Sequence, residues 1–505
     1  MPVRFPFDSL PTRGDNVKPP YPMLVDTLPE AAPRERRVYF EVFGCQMNKL
    51  DSELMLESLV ARGYQLTHDS DEASVILYNT CSIREHAEER AISRLQTFRK
   101  RKESEPDLVL GLLGCVAQHK EAELFKRMPY LDMVVGTREF DQLPELIDAV
   151  RAGDEPRLAT EMDSPLVFSR RRNLGPQPWH AYVSVMRGCD MVCTYCIVPT
   201  TRGKEVSRPP EVILDEIRRL AGDGVRELTL LGQTVNSYGK RLGPGIGLDT
   251  LLRGIEEING IERVRFITSH PRFMRPKLID AMAECSKVTD FLHLPVQSGS
   301  NAVLARMKRT YDRDFYLKVI ERLRDKMPNL HLLTDFIVGF PGETEAEFEE
   351  SMSLVDAADF DYGYVFMYSP RPGTVSHRLA DDIAEEEKKR RLHTILHALE
   401  ENGRRRNLDS IGRRVEVLVE GVSKFDASRM AGRARDFRMV VFPASPLDRP
   451  GSFVEVEVES TTAGTLLGRR IGPPGSDPVM PPTVRRAPGS GVPSEPQPPR
   501  RPAGI

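Results

Sequence analysis

The sequence lacks any apolar run long enough to cross a membrane, and its first residues, Met-Pro-Val-Arg-Phe-Pro-Phe, contain no apolar core of signal-peptide length. It also lacks the basic excess that marks many nucleic-acid-binding proteins, because the net charge is -3 over 505 residues. Any RNA contact must therefore come from a local patch. We expect a soluble, cytoplasmic protein with no membrane partner.

Cysteine is scarce as well, since the chain has 7. Cytoplasmic thiols stay reduced, so that such cysteines serve more often as metal ligands or catalysts than in disulfides. The seventh, Cys285, falls on the apolar face of a predicted helix and is predicted to be a core residue. The other six form two groups, which we call the strand trio (Cys45, Cys81 and Cys115) and the loop trio (Cys189, Cys193 and Cys196).

The loop trio follows an alternating apolar strand, residues 181–186, with the spacing C-x3-C-x2-C. Three thiolates can hold three irons of a cubane iron-sulfur cluster and leave the fourth iron without a protein ligand. An open iron can chelate S-adenosylmethionine and pass an electron to its sulfonium, which yields a carbon radical. A zinc knuckle or a disulfide pair is the alternative, but zinc sites usually bring four ligands and no second cysteine pair lies near this loop.

Each cysteine of the strand trio stands just past a predicted strand, and a predicted helix follows it. Alternating strands and helices predict a parallel sheet, in which the carboxyl ends of the strands lie along one edge. We therefore expect Cys45, Cys81 and Cys115 to converge and to hold a second three-ligand cluster. The alternative is three buried cysteines, which are common in protein cores.

The same alternation predicts an α/β protein of three domains. Residues 37–152 form a parallel α/β domain with the strand trio, and residues 179–408 form an open barrel, because six strand–helix units are too few for a closed eight-stranded one. Residues 411–471 change to short alternating strands, which predict a small antiparallel β-barrel. The remaining segments are predicted as disordered extensions or a linker: 1–36, 153–178 and 472–505.

Glycine, amide and hydroxyl residues follow several predicted strands of the barrel. Glycine at such positions lets the backbone approach a ligand closely. Part of this signal is structural, since Thr344-x-x-Glu347 is a capping box that starts a helix regardless of function. The predicted cofactor contacts at these strand ends are Gly232, Gln233, Gln297, Ser298 and Gly339.

Arginines concentrate in the middle of the C-terminal domain, near Phe425 and Phe437. The combination suits phosphate contact and base stacking, although arginines on an exposed ribbon are usually only solvated. The predicted RNA-binding residues are Arg429, Arg433, Arg435 and Arg438.

The sequence resembles the methylthiotransferase family of radical S-adenosylmethionine enzymes over residues 37–470. Two positions depart from the family pattern and leave the fine substrate geometry open: Thr200 replaces an aromatic residue, and Thr234 stands where asparagine is common. Besides the loop trio, the matching motifs are Gly44-Cys45-Gln-Met-Asn48, Asn79-Thr-Cys81-Ser-Ile-Arg84-Glu85, Gly114-Cys115 and Ser369-Pro-Arg371-Pro-Gly373-Thr374.

The resemblance implies two 4Fe-4S clusters and S-adenosylmethionine as cofactors. The loop trio would hold the cluster that cleaves S-adenosylmethionine, with Tyr195 beside its adenine, and the strand trio an auxiliary cluster that carries sulfur. One S-adenosylmethionine would methylate that sulfur, and a second would yield the 5'-deoxyadenosyl radical that removes hydrogen from C2 of N6-isopentenyladenosine beside a tRNA anticodon. The methylthio group would then be transferred to that carbon.

The implied partners are the anticodon arm of tRNA and a reductant such as flavodoxin or ferredoxin. The sulfide source stays open, and a monomer is expected. Within the family, the alternative is methylthiolation of tRNA threonylcarbamoyladenosine or of a ribosomal-protein aspartate. An alternative of another class is a non-catalytic two-cluster electron-transfer protein or RNA-binding iron sensor, which would not need six barrel strands with glycine-rich exits.

Overall fold

The computed structural model describes residues 33–82, 85–153, 155–163, 175 and 177–472. The described residues form the three predicted domains in the predicted order. Arg84, the arginines at 170–172, the N-terminal extension up to residue 32 and the tail from residue 473 lie outside the described residues. Within the described ranges, none of the helices combines the length and the apolar character needed to span a bilayer.

The N-terminal domain is a six-stranded, fully parallel sheet with the order β2-β1-β3-β4-β5-β6. The four predicted strands are present. The edge strand β6 falls in the segment predicted as a linker, so that the domain extends past residue 152. The strands are β1 (Arg37–Phe43), β2 (Gln65–Leu66), β3 (Val75–Thr80), β4 (Val109–Gly114), β5 (Met133–Val135) and β6 (Arg157–Ala159).

Helices cover both faces of this sheet. Every residue of the central strands β3 and β4 is therefore buried, as expected for a parallel sheet. The helices of this domain are Gln46–Ala61, Glu85–Thr97, Arg99–Ser104, Cys115–Lys120, Glu123–Arg127 and Leu143–Arg151.

The first helix, Gln46–Ala61, is buried on two sides. Met55 and Leu56 pack into the core of the N-terminal sheet. Met47 and Leu50 instead pack against Leu231 and other apolar side chains of the barrel strands. This helix is therefore held between the two domains, and the cysteine directly before it lies at their interface.

The middle domain contains the six predicted barrel strands as two three-stranded parallel sheets, ordered β11-β10-β7 and β12-β13-β14. One parallel bridge joins Val264, in the edge strand β11, to Val288, which precedes β12. A short antiparallel pair, β8 and β9, flanks the loop trio. The strands are β7 (His180–Ser184), β8 (Met186–Arg187), β9 (Val206–Ser207), β10 (Glu227–Leu231), β11 (Arg263–Phe266), β12 (Phe291–His293), β13 (His331–Val338) and β14 (Tyr362–Met367).

Side chains cap the N-termini of two barrel helices. Asp312 caps one helix, and Thr344 with Glu347 forms the predicted capping box of another. The helices are Val198–Arg202, Pro210–Gly222, Leu248–Glu256, Pro276–Glu284, Asn301–Arg306, Arg313–Lys326, Glu345–Ala358 and the connecting Glu385–Leu408.

The C-terminal domain is a closed five-stranded barrel with the order β15-β16-β17-β19-β18. The prediction of a small antiparallel barrel is confirmed with one correction, because β17 and β19 pair in parallel to close it. The strands are β15 (Arg414–Val422), β16 (Arg429–Ala434), β17 (Met439–Pro443), β18 (Phe453–Thr461) and β19 (Thr465–Ile471).

Candidate functional site: two cysteine trios at one domain interface

The strand trio converges at the carboxyl edge of the N-terminal sheet. Cys81 and Cys115 are buried and Cys45 is half-buried. The hydrogen bond with Cys81 and the nearby charge of Arg202 outweigh the effect of burial and lower the pKa of the Cys45 thiol to about 6. Burial raises the pKa of Cys115, although Arg202 opposes it. The three sulfur atoms therefore share one buried environment.

The contacts around these cysteines explain the glycine and the asparagines of their motifs. A Cβ added at Gly44 would lie 2.5 Å from Cys81 Cβ, so only glycine lets the two turns approach. The Asn48 amide donates to the Thr80 carbonyl at 3.0 Å, and Asn79 donates back to the Asn48 carbonyl at 2.9 Å. The two asparagines thus join the turns that carry Cys45 and Cys81.

The loop trio is held by its own loop and by the next barrel strand. Cys189 Sγ shares a hydrogen bond with Thr234 Oγ1 at 3.2 Å and accepts one from the Met191 amide at 3.4 Å. Burial raises the pKa of Cys196 to about 12, and the charges of Cys193 and Cys189 add to that effect. The three thiols therefore lie close enough to affect one another.

A half-buried arginine, Arg309, lies beside the loop trio. Its Nη1 donates to Cys193 Sγ at 3.4 Å, and its Nε donates to the Tyr311 hydroxyl at 2.9 Å. Tyr195 lies beside the same guanidinium, with its hydroxyl 3.5 Å from Nη1. A cation beside a thiol stabilises the thiolate, which is the form that binds iron.

These surroundings fit iron-sulfur clusters. No group of three or more His, Cys, Asp or Glu side chains in the described ranges is placed to hold a single metal ion. A cubane cluster does not require the three sulfur atoms to surround one ion, since each thiolate binds its own iron. Two arginines supply the positive charge that a set of thiolates requires: the buried Arg202 at the strand trio and the half-buried Arg309 at the loop trio.

A buried ion triad connects the two cysteine sites. The carboxylate of Asp51, on the first helix, lies 2.8 Å from Arg187 Nη2 and 2.8 Å from Arg202 Nη2. All three side chains are at most 5% exposed. Arg187 directly precedes the loop trio and Arg202 follows it, so one carboxylate of the N-terminal domain holds both ends of the loop-trio segment.

Three further contacts cross the same interface. His119 Nε2 donates to the Pro372 carbonyl at 3.0 Å. Thr137 Oγ1 donates to the Thr201 carbonyl at 2.6 Å, and Arg371 donates to the Ser82 carbonyl. The interface therefore joins the segments that follow Cys81 and Cys115 to the barrel segments around the loop trio.

The structure places the predicted cofactor contacts in two kinds of environment. Gln233 Oε1 is buried and has no hydrogen-bond partner among the described residues, and Gln297 adopts a positive φ of 76° at the end of its strand. Ser298, in contrast, accepts from the Ser300 amide at 3.1 Å, and the Gly339 amide donates to Glu343 at 2.6 Å. Gln233 and Gln297, with Tyr195, are thus the stronger candidates.

Packing alone explains why glycine occupies positions 232 and 339. An added Cβ would lie 2.6 Å from Met186 Cγ at Gly232 and 2.4 Å from Lys388 Cγ at Gly339. These glycines permit close packing at the strand ends. Contact of the six residues with cofactor stays a prediction.

All four predicted RNA-binding arginines take part in contacts within the protein. Arg433 pairs with Glu420, and Arg438 donates to Ser410 Oγ at 2.6 Å. Arg435 donates to the Val288 carbonyl of the barrel at 2.7 Å. Arg429 is 41% exposed, although it pairs with the neighbouring Asp426.

Sequence reasoning did not identify Asp51, Arg202 or Arg309. Arg202 lies close to the loop trio in sequence and so carried a usable signal, whereas Asp51 is one of several charged residues of its helix, with Lys49, Glu53 and Glu57. Arg309 lies far from any cysteine in the sequence. Only the tertiary structure brings it to Cys193.

The chain matches three family descriptions in order. These are the uncharacterized protein family UPF0004 over residues 37–136, the Radical SAM superfamily over residues 183–355 and the TRAM domain over residues 410–471. The matches coincide with the N-terminal sheet, most of the barrel and the C-terminal barrel of the structure.

The chain is 41% identical over 444 residues to the tRNA-2-methylthio-N(6)-dimethylallyladenosine synthase of Burkholderia mallei strain SAVP1, and the match covers 86% of this chain and 97% of that protein. It is 42% identical over 445 residues to the synthase of the same name from Burkholderia thailandensis, with the same coverage. In fold, it is similar to the radical S-adenosylmethionine methyltransferase TsrM of Kitasatospora setae, with a TM-score of 0.50 and 14% identity over 66% of this chain and 73% of that one. The chain therefore belongs to the methylthiotransferase family of radical S-adenosylmethionine enzymes.

Proposed function

We propose that this enzyme methylthiolates C2 of N6-isopentenyladenosine next to the anticodon of tRNA. The reaction uses two S-adenosylmethionine molecules, one as methyl donor and one as radical source, and an auxiliary 4Fe-4S cluster that carries the sulfur. The observation that carries the proposal is the meeting of two cysteine trios across one domain interface. Sulfur insertion into a C–H bond needs a radical source and a sulfur carrier close to the same carbon.

The cysteine trios and their arginines have separate tasks in this proposal. When bound, the two clusters supply the electron that cleaves S-adenosylmethionine and an iron site that holds sulfur. The loop trio would hold three irons of its cluster and leave the fourth for S-adenosylmethionine. Gln233, whose side-chain oxygen is a buried acceptor, directly precedes Thr234, which hydrogen-bonds Cys189. Arg309 keeps a positive charge beside Cys193 and the Tyr195 ring.

The C-terminal barrel is proposed to bind the anticodon arm of tRNA. Phe425 is 85% exposed and lies in the same turn region as Arg429. An exposed aromatic ring beside a cation is a common platform for an unpaired base. The other proposed partner is a low-potential reductant such as flavodoxin or ferredoxin, because S-adenosylmethionine cleavage consumes an electron.

The test is mass spectrometry of tRNA nucleosides from a strain that lacks the gene, with plasmid-borne wild type and a Cys189→Ala variant for comparison. The N6-isopentenyladenosine should accumulate in the deletion strain and in the Cys189→Ala strain. The 2-methylthio form should return with the wild type only. A normal ratio of the two nucleosides in the deletion strain would contradict the substrate assignment.

The same strains decide between the substrates within the family. Loss of a methylthio group from threonylcarbamoyladenosine, or from an aspartate of a ribosomal protein, would identify the other substrate class. Reduced, anaerobically reconstituted protein should cleave S-adenosylmethionine to 5'-deoxyadenosine. Absence of cleavage would favour a non-catalytic electron-transfer or iron-sensing role.

A further inference from the structure

Arg202 belongs to the barrel domain by sequence and to the strand trio by position. It ends the short helix Val198–Arg202, which follows the last cysteine of the loop trio. Its side chain is 5% exposed and reaches Asp51 of the N-terminal domain. The helix Val198–Arg202 packs against the helix Cys115–Lys120, which begins at a cysteine of the strand trio.

The ion triad carries more positive than negative charge. Asp51 is one carboxylate between two guanidinium groups, and both arginines are buried. An uncompensated buried charge is costly, so such groups are normally paired. The thiolates of the strand trio are the negative groups near Arg202. An iron-sulfur cluster held by these thiolates would therefore balance the triad.

Arg202 also has unused donors. Both terminal nitrogens are buried and complete no well-aligned hydrogen bond with any residue in the described ranges. Nη2 faces the Asp51 carboxylate at 2.8 Å. Nη1 is left for another acceptor, and the charges that act on this guanidinium besides Asp51 include Cys115 and Cys45. Buried donors of this kind are expected to meet a ligand or an anion.

We propose that Arg202 is a positioning residue of the auxiliary site, which hydrogen-bonds the sulfur atoms of the cluster held by the strand trio. The inference rests on the proposed function, since that function supplies the second cluster. It means that the barrel domain completes the sulfur-carrying site of the N-terminal domain. Asp51 fixes the orientation of the guanidinium, and the free edge of the fork faces sulfur.

A hydrogen bond and a positive charge next to an iron-sulfur cluster stabilise its reduced form, and the reduction potential rises as a result. Removal of Arg202 should therefore lower the potential of the auxiliary cluster. The loop-trio cluster has its own cation, Arg309, and should be unaffected. Arg187 shares Asp51 with Arg202, but the charges that act on its pKa are Asp51 and other arginines, not cysteines. It provides the matched control.

The experiment is an EPR-monitored redox titration of anaerobically reconstituted full-length protein. In a Cys189→Ala, Cys193→Ala, Cys196→Ala background, only the auxiliary cluster contributes the signal. We compare this protein with the same protein carrying Arg202→Gln, Arg202→Lys or Arg187→Gln. Arg202→Gln should lower the reduced-to-oxidised ratio at fixed potential by about tenfold, equal to a fall of ~59 mV in the midpoint of a one-electron couple.

Arg202→Lys keeps the charge but loses the planar fork, so its midpoint should lie between those of wild type and Arg202→Gln. It also serves if Arg202→Gln folds poorly. Arg187→Gln should leave the auxiliary midpoint unchanged. The proposal is overturned if the Arg202 variants keep the wild-type midpoint, or if Arg187→Gln shifts it equally. If the background protein shows no auxiliary signal at all, the second cluster and the proposed function fail instead.

Discussion

The two cysteine trios solve the same task in different ways. The loop trio occupies eight consecutive residues, 189–196, and its thiols are positioned by nearby backbone amides and by Thr234. The strand trio is collected from three strand ends, and its geometry depends on the whole sheet. It depends also on Arg202, a residue of the other domain.

This difference separates a local site from an assembled one. A local site should tolerate changes elsewhere in the fold, whereas an assembled site should respond to any change in domain docking. The common feature is one arginine beside each trio, Arg309 at the loop trio and Arg202 at the strand trio. The four predictions below test this contrast, from the largest expected effect to the smallest.

Replacement of a single cysteine in either trio should eliminate product formation and halve the iron content of the protein. Cys189→Ala should lose the loop cluster and retain about four irons per chain, while Cys81→Ala should lose the auxiliary cluster and retain about four. Only Cys81→Ala should still cleave S-adenosylmethionine. Iron analysis and 5'-deoxyadenosine assays measure these outcomes. Loss of both clusters in either variant would show that the two sites are not separable.

Asp51→Asn should uncouple the domains, because it leaves two buried guanidinium groups without their carboxylate. We expect a loss of about 3–5 kcal/mol in the free energy of unfolding, measured by urea denaturation of the protein. The matched control is Glu72→Gln, which breaks an exposed ion pair with Arg37 and should cost about 1 kcal/mol or less. Equal losses in the two variants would contradict the role of the triad.

Gly44→Ala should damage the assembled site alone. The added methyl would lie 2.5 Å from Cys81 Cβ and push the cysteine away, so that most of the auxiliary iron is lost while the loop cluster remains. Gly63→Ala is the control, since Gly63 also has a positive φ but has open space around it. Mössbauer spectra of the two variants give the comparison. Full auxiliary iron in Gly44→Ala would argue against the close approach of the two turns.

Phe425→Ala should weaken tRNA binding by about 1–3 kcal/mol if the ring stacks on one base. The change leaves both trios intact, so S-adenosylmethionine cleavage should not change. Leu447→Ala, at another exposed apolar residue of the same domain, is the control. Filter binding at fixed salt measures both variants. Equal affinity of Phe425→Ala and wild type would move the RNA surface elsewhere.

The sequence was sufficient to predict the local patterns. The strands before each cysteine, their parallel arrangement and the six barrel strands follow from alternation and spacing, and the structure has them. The edge strand Arg157–Ala159 was not predictable, because three residues show no alternation. The parallel closure of β17 and β19 is likewise a tertiary feature that no local pattern reports.

Burial was hardest to predict from the sequence where two domains meet. The helix Gln46–Ala61 buries Asp51 and Glu53 as well as its apolar residues, since the barrel covers its other side. In the arginine-rich stretch of the C-terminal domain, Arg435 donates to carbonyl groups of the barrel, and RNA binding by this stretch stays a prediction. Charged residues at domain interfaces look like surface residues in a sequence.

The most direct test of the account is the cluster content of wild-type protein after anaerobic reconstitution. Mössbauer spectroscopy with iron and sulfide analysis should give about eight irons per chain, in two cubanes that each have one iron without a cysteine ligand. Addition of S-adenosylmethionine should perturb one of these two irons only. A content of about four irons, or a cubane with four cysteine ligands, would contradict the account.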